Sequence, residues 1–152
     1  PNTMGQQQLL LLVLSTVIVG LATVAGIQAF SENQAQASQD ALVQRGTSIA
    51  SDIQGLAGKP AQMGGVDLTS SGSATASGIV AKLGYETTST GDASVPAEGA
   101  GSSGECTVGA PSSGSITITC SSDDAPQDVE VTVTPSNSST SSDVVSTSFS
   151  SS

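Results

Sequence analysis

Cys106 and Cys120 are the residues whose chemistry is easiest to specify. Both lie in a C-terminal region poor in large apolar side chains, where Tyr85 and Phe149 are the aromatic residues and Trp is absent. Two thiols in a thin-cored domain behind an export-like apolar segment predict a disulfide; the alternative is two free thiols in a reducing compartment. Closing such a loop stabilises a domain by about 3 kcal/mol in the chain-entropy model. Asn137-Ser138-Ser139 forms an N-glycosylation sequon, and the Ser/Thr clusters around it could carry O-linked sugar or simply be solvated loop. Asp123, Asp124 and Asp128 are carboxylates near one another, but they lack the spacing of a calcium loop and read as solvated turn residues.

Catalysis has little to stand on. The chain has no His, so no Ser–His or Cys–His pair can form. It has no phosphate-binding Walker loop and no zinc ligand set. A non-enzyme is expected, with no cofactor and no metal site. Net charge is −10, from 13 acidic and 3 basic residues. Arg45, Lys59 and Lys82 make up the whole basic complement, which leaves phosphate backbones no electrostatic partner and argues against nucleic-acid binding. An acidic, Lys-poor, Ser/Thr-rich surface suits high salt or plain solubility.

The elements that carry these residues divide the 152-residue chain in two. Residues 9–27 (LLLLVLSTVIVGLATVAGI) are apolar throughout and uncharged. As a helix, 19 residues span roughly 28 Å, close to a bilayer core. Three readings of this segment compete. A signal peptide would carry a basic flank and a shorter apolar stretch, and no Lys or Arg precedes Leu9. A permanent membrane anchor and a helix-packed filament core both fit. Thr16 and Gly20 are four apart, as are Ala22 and Gly26, and Ala25 and Ala29; such small-xxx-small spacing lets helix backbones approach closely, although small residues are common in any membrane helix. Leu9, Leu12, Thr16, Gly20, Ala22, Gly26 and Ile27 are therefore the candidate packing residues. Gly20 and Gly26 each lower helix propensity by about 1 kcal/mol relative to Ala, so the helix could loosen there.

Thr3 and Gln6 stand at capping-box spacing, which places the N-cap at Thr3 and leaves Pro1 and Asn2 outside the helix. Gly55, Gly58 and Pro60 supply a stop. Between them, residues 28–57 turn amphipathic: Ala35, Leu42, Ile49, Ile53 and Leu56 form one stripe. A break near Gly46 would give two helices, but no Pro or turn cluster interrupts the pattern, so one helix of about 80 Å is expected. Domain 1–58 is thus a long helix with an apolar stem, and 59–152 is a β-rich head.

Within the head, residues 59–65 (KPAQMGG) read as a linker or turn, 77–83 as a short helix ending at Gly84, and 87–104 as Gly/Ser/Ala-rich loop. Residues 115–120 and 128–134 alternate apolar and polar positions and predict an antiparallel hairpin across Asp123-Asp124-Ala125-Pro126. A third strand is expected over 144–149. The fold class is α+β: a long N-terminal helix and a small antiparallel β head, arranged as a lollipop.

A short segment ending in Gly5, an apolar run, an amphipathic continuation and a β head with a late disulfide together resemble the type IV pilin superfamily, which includes bacterial pilins, pseudopilins, archaeal pilins and archaellins. The resemblance covers residues 5–57 by pattern and the rest by architecture. It implies a homopolymer built through the N-terminal helices. Subunits would be stored in the inner membrane before assembly into an extracellular, cell-surface filament with the heads facing solvent. One feature departs from the family. Processing after Gly5 would put Leu10 where pilins commonly carry an acidic residue, and Leu cannot pair with a neighbour's amine. Processing upstream of Pro1, or removal of an initiator Met alone, is the expectation instead. The alternative function is a monomeric, single-pass surface protein. A phage-coat-like subunit would need a basic end facing its genome, and this chain offers none.

Overall fold

The computed structural model describes residues 2–68, 74–89, 91–134 and 145–151. One helix, α1 (Asn2–Ala57, 56 residues), runs unbroken through Gly46. It begins before the expected cap: Asn2 is already helical, so Thr3 sits inside the first turn and the capping-box placement is corrected. The stop is where the glycines put it. Gly58 donates its N–H to Gln54 O at 3.1 Å and Lys59 to Leu56 O at 3.2 Å, closing the last turn. A single 3₁₀ turn, Ala61–Met63, follows. Gly65 is obligatory here, since a Cβ would stand 1.9 Å from Lys59 O.

Helix α2 (Ala76–Leu83) starts one residue before the expected 77–83 and ends as expected. Thr75 caps it by accepting from Gly78 N at 3.1 Å. Gly84 closes it at φ 77°, the left-handed conformation that glycine adopts without steric cost.

Five strands follow as an antiparallel meander in the order β1 (Ser94–Pro96), β2 (Glu105–Val108), β3 (Ile116–Ser121), β4 (Asp128–Val133), β5 (Val145–Ser150). The β3–β4 hairpin and the last strand match expectation, with Ile118 opposite Val131 and Val129 opposite Phe149. Strand β1 does not: it lies inside the 87–104 segment read as loop. Its three residues pair with β2, whose Cys106 lies opposite Cys120 of β3. A strand so short has no periodicity of its own to read, and its neighbour recruits it.

Alternation puts Cys106, Val108, Ile116, Ile118, Cys120, Val129, Val131 and Val133 on the buried face. Polar residues occupy the other face, where Thr117 meets Thr132 at 3.4 Å. Leu42, Ile49, Ala50, Ile53 and Leu56 of α1 and Ile79 and Val80 of α2 complete one apolar cluster with that buried face. The core contains no fully buried aromatic side chain among the described residues. The disulfide Cys106–Cys120 lies within it, with Cα atoms 4.0 Å apart and both residues fully buried.

By packing, the chain forms two compact units, Pro1–Gln34 and Ala35–Ser152. The division falls inside α1 rather than at its end, because the second half of the helix shares its core with the sheet.

Candidate functional site

Residues 9–27 form the surface that calls for an explanation. Every large apolar residue from Leu9 to Ile27 is more than half exposed, from Val17 at 52% to Leu10 and Leu21 at 68%. The helix that carries them is long and apolar enough to cross a membrane, and none of its apolar window is buried within the chain. A soluble monomer seldom leaves so large an apolar surface in water. Burying a side chain of this kind is worth about 1.5–3 kcal/mol, so a row of them demands lipid or protein.

The polar groups of this segment already have partners. Ser15 Oγ donates to Leu12 O at 3.1 Å, Thr16 Oγ1 to Val13 O at 2.8 Å and Thr23 Oγ1 to Val19 O at 2.8 Å. Each hydroxyl is satisfied within its own helix, as an apolar surrounding requires. The candidate packing residues Leu9, Leu12, Thr16, Gly20, Ala22, Gly26 and Ile27 all lie on this exposed helix. They do not share one face. Gly20 follows Thr16 on one side, whereas Ala22, Ala25, Gly26 and Ala29 lie about 80–180° away around the axis. A Cβ at Gly20 or Gly26 would meet nothing within 4 Å. Both glycines leave shallow places in which a neighbouring helix could seat.

In the second unit, the predicted stripe is buried at Leu42, Ile49, Ile53 and Leu56, while Ala35 is half-buried. Three buried positions of this helix fall outside that stripe, and Ser38 is one of them. Ala50 is fully buried. Gly46 lies close against the sheet: a Cβ there would stand 3.0 Å from Val131 Cγ2 and 3.2 Å from Cys120 Sγ. The spacing from Leu42 through Gly46 to Ile49 carries that signal, had glycine been counted as apolar.

Arg45, Asp52 and Tyr85 form a cluster that sequence reasoning did not bring together. The Arg45 guanidinium lies 4.9 Å from the Tyr85 ring centroid, and the Tyr85 hydroxyl donates to Asp52. Burial, reinforced by the hydrogen bond to Asp52 and by its charge, raises the Tyr85 hydroxyl above its ordinary value of 10.0. The cluster ties the segment after α2 to α1.

Asp123 and Asp124 lie in the turn after β3. Asp123 N donates to Ser103 Oγ at 2.9 Å and Asp124 N to Ser122 Oγ at 3.2 Å, and Gly101 is held against the Asp124 carboxylate. Among the described residues no group of His, Cys, Asp or Glu is arranged to hold a metal ion. Asn137 lies outside the described residues. Compared with known proteins, the chain matches no family model, no curated protein and no solved structure.

Proposed function

We propose that this chain is a structural subunit of a type IV pilus-like extracellular filament, held in the membrane by residues 9–27 before assembly. The bare apolar segment beside a disulfide-bonded head with a closed core carries this reading. Small residues on more than one side of the stem favour a polymer over a dimer, because each stem would then receive neighbours from several directions. The driving force is apolar and dispersive packing, since residues 1–31 contain no charged side chain. The acidic heads would form the outer sheath, and no catalytic step is required.

Electron microscopy of material sheared from cells and pelleted without detergent tests this. Uniform thin filaments with a helix-dense core built from this chain are expected. Retention of the chain in the membrane fraction without filaments would leave residues 9–27 as a simple single-pass anchor.

A further inference from the structure

Charge is unevenly distributed along the second unit. Two of the three cations, Lys59 and Lys82, line one cleft of ≈ 410 Å³ together with Asp52, Leu56 and Leu83. The third, Arg45, is stacked on Tyr85. Both lysines are exposed, and Lys82 Nζ donates to Gly65 O at 3.3 Å. Asp52, the one carboxylate lining this cleft, accepts the Tyr85 hydroxyl. A second cleft of ≈ 500 Å³ is lined by Glu105, Asp123 and Asp128 with Ser103, Ser121 and Ser122, and by no cation.

These clefts lie at opposite ends of the helix half that backs the sheet. The acidic end is fixed by Gln39, whose Oε1 accepts from Gln127 N at 3.1 Å, next to Asp128. The basic end is fixed by Leu56, which lines the lysine cleft. Seventeen residues of helix separate them, about 25 Å along the axis.

We propose that the Lys59/Lys82 cleft receives the acidic turn of a second copy of this chain, so that Glu105, Asp123 and Asp128 of one subunit meet the lysines of the next, head to tail. The contact rests on the filament reading for its polarity. Unlike surfaces at opposite ends make a heterologous contact, which repeats as an open polymer wherever its rotation does not close a ring. Charge complementarity selects the occupant: in a chain of net charge −10, two heads carry a net repulsion, and the paired lysines are where carboxylates of another copy meet attraction. The apolar stems then supply affinity, while this contact supplies register.

A zero-length carbodiimide crosslink, which joins a lysine amine to a carboxylate at ion-pair distance, tests the contact on the full chain. It is applied both to membranes and to sheared material. Lys59 and Lys82 are the chain's complete set of lysines, so products are readily mapped by digestion and mass spectrometry. The expected result is a ladder of dimers, trimers and higher species, with Lys59 or Lys82 joined to Glu105, Asp123 or Asp128. Lys59→Glu with Lys82→Glu should abolish the ladder, since it removes every lysine amine and also sets like charges across the contact, so the informative variant is the charge swap. Adding Asp123→Lys and Asp128→Lys should restore it. Products that stop at the dimer, lysines coupled only within their own chain, or lysines coupled to other carboxylates would each overturn the proposal. Filaments without the ladder would sink this contact and leave the filament reading intact. A ladder in membranes without filaments would do the reverse.

Discussion

The two halves of α1 obey the same backbone rules and differ in what covers them. Residues 9–27 are apolar on every side and bare. Residues 42–56 are apolar on one stripe, and that stripe is buried against a disulfide-bonded sheet. A helix that is apolar all round needs an apolar surrounding on every side, whereas a striped helix can be satisfied by a single sheet. The pattern of the side chains therefore separates a half that the chain completes by itself from a half that it leaves for lipid or for other copies. Gly46 and Gly20 make the contrast concrete: a Cβ at the first would press on Val131 and Cys120, and at the second would meet nothing.

The sharpest test pairs one isoleucine from each half. Ile53→Ala should cost the head about 3 kcal/mol, because it empties a fully packed site. Ile18→Ala should leave head unfolding within about 0.5 kcal/mol of the parent, as expected for a side chain the chain does not pack. Thermal or denaturant unfolding of the full chain in detergent, read by tertiary circular dichroism, measures both. Equal losses would break the distinction.

The glycines come next. Gly46→Val should destabilise the head by about 1–3 kcal/mol through overpacking. Gly20→Leu should not move the unfolding midpoint but should abolish sheared filaments, and normal filaments from it would end the close-packing account. Smaller is Thr75→Ala, which removes the cap of α2 and should cost about 1 kcal/mol.

The smallest effect near neutral pH concerns Tyr85. Its hydroxyl titrates higher in the folded chain than in the unfolded one. The unfolded chain therefore loses that proton first, and the stabilisation, complete below pH 10, declines as pH rises through the raised folded value. Tyr85→Phe should flatten this alkaline decline while leaving the stem helix unchanged. An alkaline profile identical to the parent's would show that Tyr85 does not control it.

Much of this architecture was legible from local pattern. The unbroken α1, its end near Gly58, α2 with its Gly84 stop, and the alternation of β3 and β4 follow from periods of 3.6 and 2 that a short window displays. The two cysteines allowed a single intrachain pairing, which is the one present. The bare stem was legible for the same reason, since 19 uncharged residues announce their solvent.

What local pattern could not reach is whatever depends on partners far along the chain. Strand β1 exists because β2 lies beside it, and Gly46 matters because the sheet docks there. Tyr85 finds Asp52 across 33 residues, and Gln127 finds Gln39 across 88. The gathering of Lys59 with Lys82, and of Glu105 with Asp123 and Asp128, is likewise a product of docking. The sequence by itself determined which segments are helix or strand and which solvent each face requires, because those follow from spacing and transfer free energy. Tertiary structure alone decided which distant residues meet, because close approach and charge placement arise only when packed elements bring separated positions together.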